Sequence, residues 1–132
     1  MNRIAVVEDE LDLRVTYERL LRRMGYRVVT AGSRAEGLGL LKQATPPTLV
    51  IADLRLSDGD GLDIVRAAQA LDPPVPVIVV TAFGTHAARE AAITAGAAAF
   101  LAKPFVSSAL LRLVHDELDH PGRRPRPCHP IP

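Results

Sequence analysis

Short apolar runs alternate with amphipathic stretches along most of the chain, and this alternation restricts the fold more than any other feature of the sequence. The five runs, each four to seven residues long, are 4–7, 27–30, 48–52, 75–81 and 98–101. Runs of this length suit strands that are buried on both faces, and they are too short for buried helices. The pattern therefore predicts five parallel strands connected by helices.

Helical signals occupy the intervals between these runs. The first interval carries an apolar stripe at helical spacing, made of Leu13, Tyr17, Leu20, Leu21 and Met24. Ser33 and Glu36 form a capping box that begins a second helix. Further helices are predicted over about 62–71, 85–95 and 107–118, with Ser107 capping the last. Because such crossovers are right-handed, five strands and five helices predict a doubly wound α/β domain.

Length and composition indicate one domain followed by a tail. The 132 residues are 48% hydrophobic, which is enough for a single core. Residues 119–132 hold five of the eleven prolines and a single large aliphatic residue, so they cannot pack. We therefore expect a domain over 1–118 and a disordered Pro/Arg-rich tail or linker stump over 119–132.

Charge and cysteine content exclude several classes of protein. Residues 1–118 carry 13 Lys and Arg against 14 Asp and Glu, so the domain lacks the positive surface of a nucleic-acid-binding module. The single cysteine, Cys128, excludes a disulfide framework within the chain and a cysteine-based zinc site. No apolar run reaches the roughly 18 residues of a membrane span. The sequence predicts a cytoplasmic protein without membrane contact.

Polar residues follow four of the predicted strands, and parallel strands bring such residues together at one edge of the sheet. They are Glu8 and Asp9 after the first strand, Asp53 after the third, Thr81 after the fourth and Lys103 after the fifth. Three neighbouring carboxylates repel one another and favour a divalent ion with oxygen ligands, such as Mg²⁺. A lysine and a hydroxyl suit the oxygens of a phosphoryl group, and a carboxylate can accept that group as an acyl phosphate. The arrangement predicts an aspartyl-phosphate site.

Each residue also has a simpler interpretation. Asp53 alone would more often be a loop acid or a helix cap, and Phe100 alone would more often be a core residue. The acidic segment 8–12 is also favourable at a helix N-terminus. Residues 58–61 have the composition of a turn whose acids only face solvent. The functional interpretation therefore depends on the set of strand-end residues rather than on any one of them.

Taken in their order along the chain, the predicted strands and the residues that follow them resemble the receiver domain of bacterial response regulators over residues 3–118. The resemblance rests on the strand that ends in Glu8 and Asp9 and on residues 50–56, 58–62, 79–82 and 96–105. It implies a flavodoxin-like fold with five helices around a five-stranded parallel sheet of order 2-1-3-4-5. It also implies a two-component signalling role.

The same resemblance implies a role for each strand-end acid. Asp53 corresponds to the phosphoacceptor. Glu8, Asp9, Asp53 and the main-chain carbonyl of Arg55 correspond to the Mg²⁺ site, with Asp9 as a direct ligand and Glu8 acting through water.

Two further residues, Thr81 and Phe100, match the switch of the family, and Lys103 matches its catalytic lysine. Thr81 would bind a phosphoryl oxygen, and Lys103 would pair with Asp53 before transfer and with the phosphoryl group afterwards. The bond between Lys103 and Pro104 is expected to be cis. Phe100 would be the switch aromatic that turns inward.

Arg55 and Phe83 occupy positions that set the phosphoryl lifetime, and since neither can orient a water molecule, we expect a long lifetime.

The implied function is a signalling switch rather than a metabolic enzyme, with self-catalysed phosphotransfer and autodephosphorylation. The donor would be a sensor histidine kinase. The face formed by the fourth helix, fifth strand and fifth helix would change shape and control an output domain or protein such as a transcription regulator. Whether the same face also forms a homodimer stays open. Two alternatives stay open: a phosphorylation-independent protein-interaction module, and a phosphorelay intermediate.

Overall fold

The structure is a computed structural model that describes residues 2–119. The tail expected over 119–132 therefore lies, except for Asp119, outside the described residues. Within residues 2–119 no helix is both long and apolar enough to cross a membrane. The elements follow in chain order as β1 (Arg3–Val7), α1 (Leu11–Arg23), β2 (Arg27–Ala31), α2 (Arg34–Leu41), β3 (Leu49–Ala52), β4 (Arg55–Leu56), β5 (Gly59–Asp60), α3 (Leu62–Gln69), β6 (Val77–Thr81), α4 (His86–Ala95), β7 (Ala99–Ala102) and α5 (Ser107–Asp119).

Five of these strands form one parallel sheet in the order β2-β1-β3-β6-β7. The order is the predicted 2-1-3-4-5 when the short pair β4 and β5 is set aside, so the predicted fold class is confirmed. Every residue of β3 and β6 is buried, as the uninterrupted apolar runs indicated.

Helices cover both faces of the sheet, which divides the core in two. On one face α1 and α5 insert Leu21, Leu110 and Val114 against alternate residues of the central strands. On the other face α2, α3 and α4 pack against the intervening strand residues, with Ile64 among the fully buried ones. Because each strand contributes to both clusters, the carboxyl edge of the sheet is held rigidly from two sides.

Several local signals behave as predicted. The Ser33 hydroxyl accepts a hydrogen bond from the Glu36 amide at 3.1 Å, which confirms Ser33 as the cap of α2. The return bond of a capping box is displaced by one residue, because the Glu36 carboxylate accepts from the Gly32 amide rather than from the Ser33 amide. Gly96 ends α4 in the left-handed conformation with φ of 107°, which glycine adopts without strain. Ser107, by contrast, is the first residue of α5 rather than its cap. Met24 follows α1 and is 56% exposed, so it does not extend the buried stripe.

The pair β4 and β5 was not predicted. These strands have two residues each and pair antiparallel, Arg55 with Asp60 and Leu56 with Gly59, in what we call the site hairpin. Gly59 has φ of 151°, a conformation that other residues rarely adopt. The segment 58–61, expected to be a solvated turn, is therefore the tip and second strand of an ordered hairpin.

Candidate functional site

The strand-end residues are fixed by continuation of the sheet's hydrogen bonding. The Glu8 amide donates to the carbonyl of Ala31 at 3.0 Å, and the Asp53 amide donates to the carbonyl of Val7 at 3.2 Å. The Lys103 amide donates to the carbonyl of Thr81 at 2.8 Å. Because these amides extend the hydrogen bonding of the sheet by one residue past each strand, the side chains start from defined points at one edge.

Lys103 joins two acids of this edge. Its ammonium donates to Asp53 Oδ2 at 2.8 Å and to Glu8 Oε1 at 2.9 Å. Glu8 is 2% exposed and Asp53 is 7% exposed, so both carboxylates are taken out of bulk water. The bond between Lys103 and Pro104 is cis, as expected from the sequence. The structure therefore brings together residues that lie 50 and 95 positions apart in the chain.

Burial and pairing act in opposite directions on this cluster. Burial raises the pKa of the Glu8 carboxyl above its ordinary value, although the hydrogen bonds from Lys103 and the Glu10 amide oppose the rise. Burial alone would lower the pKa of the Lys103 ammonium, but its hydrogen bonds to Asp53 and Glu8 raise that pKa well above the ordinary value. Lys103 is therefore charged at every physiological pH.

The remaining acidic candidates are placed differently. Asp9 is half-buried, and within the described residues its carboxylate makes no hydrogen bond or ion pair. Asp53 Oδ1 accepts a hydrogen bond from the Arg55 amide at 3.1 Å, which fixes the main chain of Arg55 beside the carboxylate. Among residues 2–119, no three His, Cys, Asp or Glu side chains are grouped to hold a metal ion. The ligand set inferred from the sequence thus stays a prediction.

Thr81 and Phe100 lie deep beside the cluster. Thr81 is fully buried, and its hydroxyl oxygen accepts a hydrogen bond from the Phe83 amide at 3.1 Å. The hydroxyl proton therefore stays available for another acceptor. Phe100 is 3% exposed and packs in the core, and its role as the switch aromatic stays a prediction. A phenylalanine has no hydroxyl that needs a hydrogen-bond partner, so its whole side chain can be buried in the core at no polar cost.

The rim of the site carries a contact that the sequence did not indicate. The Arg55 guanidinium lies over the Phe83 ring, 3.8 Å from its centroid, in a cation–π geometry. Phe83 is 46% exposed, so the pair lies at the surface rather than in the core. It connects the site hairpin to the loop that follows Thr81.

Two further contacts, one at the lysine segment and one at Glu8, were missed in the sequence. Tyr17 was assigned only to an apolar stripe, yet its ring stacks on Phe105 with centroids 6.1 Å apart. Phe105 lies two residues after Lys103, so this stack holds the segment that carries the amine. Arg14 donates to the carbonyl of Glu8 at 2.9 Å. In the sequence, only the position of Phe105 close to Lys103 could have indicated the stack with Tyr17, and no signal pointed to the Arg14 bond.

Comparisons with known proteins agree with this geometry. The sequence profile of the response regulator receiver domain matches residues 4–115. Transcriptional regulatory protein GlrR of Escherichia coli is 40% identical over 109 residues, which are 83% of this chain and 23% of that protein. Transcriptional regulatory protein PrrA of Mycobacterium tuberculosis is 38% identical over 112 residues, which are 85% of this chain and 48% of that protein. The chain thus spans about a quarter to a half of these relatives.

Solved structures show the same fold. A CheY-like receiver domain protein from Methanospirillum hungatei superposes with a TM-score of 0.84 at 28% identity, covering 90% of this chain and 94% of that one. The non-phosphorylated HemR receiver domain from Leptospira biflexa gives a TM-score of 0.83 at 30% identity, covering 96% and 99%. With the profile match over most of the chain, these similarities show that the chain belongs to the response regulator receiver domain family.

Proposed function

We propose that this receiver domain accepts a phosphoryl group on Asp53 from the phosphohistidine of a sensor histidine kinase, in a reaction that requires Mg²⁺. The observation that carries the proposal is the largely buried Lys103 ammonium, which is held between Asp53 and Glu8 at the strand ends. A charge placed there stabilises the oxygens of a transferring phosphoryl group without reorganisation.

The donor set suits a hard cation. Asp9, Asp53 and the main-chain carbonyl of Arg55 supply the oxygen ligands that Mg²⁺ prefers. Glu8 is engaged at both oxygens, by Lys103 and by the Glu10 amide, which supports an indirect role through water. Asp9 has no partner among residues 2–119 and is the better direct ligand. When bound, Mg²⁺ supplies positive charge to the phosphoryl oxygens.

The residues of the chain then have defined tasks. A carboxylate oxygen of Asp53 forms a bond to phosphorus while the bond to the donor histidine nitrogen breaks, and the imidazole leaves with the electron pair. After transfer, Lys103 donates one hydrogen bond to a phosphoryl oxygen. The Thr81 hydroxyl donates its free proton to another phosphoryl oxygen while it still accepts from the Phe83 amide.

The output follows from these contacts. When the Thr81 hydroxyl binds the phosphoryl group, the loop before α4 changes conformation, and Phe100 in β7 repacks with it. The face formed by α4, β7 and α5 then shifts from one of its conformations towards another. We propose that this face controls an output. Both relatives named above are transcriptional regulatory proteins, which supports a transcriptional output. The domain thereby acts as a cytoplasmic switch, and its phosphotransfer and autodephosphorylation serve signalling.

The experiment that tests the proposal is intact-mass spectrometry after incubation with acetyl phosphate, with Mg²⁺ or with EDTA. We expect a single phosphoryl adduct with Mg²⁺ and no adduct with EDTA. If acetyl phosphate and a kinase phosphodonor both give no adduct on the folded protein, and beryllofluoride does not bind, the phosphorylation-independent interaction module is the better interpretation.

The rim pair predicts a long-lived phosphoryl group. Neither Arg55 nor Phe83 can orient an attacking water, and the role we propose for Phe83 is to shield the site from water. We expect Phe83→Glu to shorten the half-life of the adduct about tenfold, because a carboxylate can position or deprotonate water. The decay of the adduct after donor removal measures this. Phe83→Leu is the control, and its half-life should stay close to that of the wild type; a Phe83→Glu half-life equal to that of Phe83→Leu would contradict the prediction.

A further inference from the structure

The site hairpin carries main-chain groups that the proposed function needs. The Arg55 amide donates to Asp53, and the Arg55 carbonyl is a proposed metal ligand. At its base the hairpin is closed by the Gly61 amide, which donates to the carbonyl of Leu54 at 2.8 Å. Gly61 also lies so close to the carbonyl of Asp53 that a Cβ would collide with it. The base is therefore fixed by the backbone of the site itself.

The tip of the hairpin is fixed by a different residue, Asp58. Its Oδ1 accepts from the Arg34 amide at 2.7 Å, and its Oδ2 accepts from the Ala35 amide at 3.0 Å. These backbone bonds, first that from Ala35 and then that from Arg34, lower the pKa of Asp58. Both donors belong to the first turn of α2, more than twenty residues away in the sequence. Asp58 thus fastens the hairpin to a neighbouring helix.

Arg34 strengthens the same connection. Its guanidinium donates to Asp63 Oδ2 at 2.8 Å, at the start of α3. The arm of Arg34 also lies against Gly59, where a Cβ would stand only 2.6 Å from the Arg34 Cδ. The start of α2 therefore contacts the hairpin tip, its second strand and the helix that follows it.

Capping of α2 does not explain Asp58 by itself. Ser33 already caps the helix, and the Glu36 carboxylate accepts from the Gly32 amide at 2.9 Å. The Arg34 and Ala35 amides lie at the exposed first turn, where water can replace the Asp58 oxygens at modest cost. Loss of Asp58 would therefore affect the hairpin more than the helix.

We infer that Asp58 is a positioning residue for the phosphorylation site: by fastening the hairpin tip to α2 it holds the Arg55 main chain in place for Asp53 and for the metal. This inference rests on the proposed function. Strand β4 consists of Arg55 and Leu56 and leads directly towards the tip, so motion at the tip reaches Arg55 over a short stretch of backbone.

The test compares Asp58→Asn with Asp60→Asn in Mg²⁺ titrations by isothermal calorimetry. Both variants remove one carboxylate charge from the same hairpin. In Asp58→Asn, the new amide has one acceptor oxygen for two backbone amide donors, so one hydrogen bond is lost. In Asp60→Asn, the new amide still offers the single acceptor oxygen that the Leu62 amide needs, a bond of 2.8 Å in the wild type. We expect Asp58→Asn to raise the Kd for Mg²⁺ about tenfold, at the low end of the loss caused by removing a group that orients a metal ligand, because Asp58 acts on Arg55 only through the backbone. Asp60→Asn should change it about threefold at most.

Amide hydrogen exchange gives a second measurement without metal. The Arg55 amide should exchange faster in Asp58→Asn than in Asp60→Asn, under conditions in which both variants are fully folded. Equal Kd values and equal exchange in the two variants would overturn the inference. If the wild type itself binds no Mg²⁺ and gains no phosphoryl group, the proposed function fails instead, so the two failures are distinguishable.

Discussion

Asp53→Asn is expected to abolish the phosphoryl adduct completely. The amide oxygen is a poor nucleophile and cannot form a stable acyl phosphate, while the isosteric side chain still accepts the Arg55 amide. The fold should therefore persist, and Lys103 should stay paired with Glu8. Intact-mass spectrometry with acetyl phosphate and Mg²⁺ measures the adduct, and thermal unfolding reports on the fold.

Asp60→Asn is the matched control for this change. Asp60 is an exposed acid of the site hairpin, so the same Asp-to-Asn replacement there should leave the adduct yield unchanged. If Asp53→Asn gave the same adduct yield as the wild type, another carboxylate, such as Asp9, would be receiving the phosphoryl group. Peptide mapping would then identify the acceptor, and the role proposed for Asp53 would be wrong.

The strands and the strand-end set could be predicted because both depend on simple periodic features. Apolar runs mark buried strands, and parallel topology places the residues that follow them at one edge, so Glu8, Asp53 and Lys103 meet there as expected. The structure starts β6 at Val77 rather than at residue 75, since the end of an apolar run does not show where pairing starts.

Other features depend on contacts that no local pattern encodes. The site hairpin needs the unusual backbone of Gly59 and the distant amides of α2, and the segment 58–61 reads as an ordinary turn without them. The contact of Arg55 with Phe83 and the stack of Tyr17 on Phe105 also join separate elements. Such contacts depend on side-chain conformation in three dimensions, which spacing along the chain does not reveal.

Lys103→Met is expected to destabilise the metal-free protein and to slow phosphoryl uptake strongly. The substitution leaves Glu8 and Asp53 buried beside each other without a cation, and removal of one partner from a buried ion pair costs about 3 kcal/mol or more in free energy of unfolding. Urea unfolding in EDTA measures the loss. The control is Lys42→Met, since Lys42 is exposed and is the only other lysine of the chain.

The loss of unfolding free energy in Lys103→Met should depend on pH, because Glu8 titrates differently in the variant. Burial already raises the pKa of Glu8 above 4.5, and the contacts with Lys103 that oppose this rise disappear in the variant, so the pKa rises further. A carboxyl whose pKa is raised by folding favours the folded state at low pH, and that advantage is lost as pH rises through the raised pKa. Lys103 itself stays charged throughout, since pairing raises its pKa. The deficit of Lys103→Met against the wild type should therefore grow from about pH 5 to about pH 8.

Mg²⁺ provides the decisive condition for this variant. A divalent cation at the acidic edge compensates the carboxylates that have lost the ammonium, so Mg²⁺ should restore part of the stability at about pH 8 in Lys103→Met. It should not restore rapid phosphoryl uptake, because the charge that Lys103 places on a phosphoryl oxygen is still missing. A deficit that is independent of both pH and Mg²⁺ would indicate that Lys103 acts only through packing of its aliphatic chain, and its proposed part in phosphotransfer would lose its support.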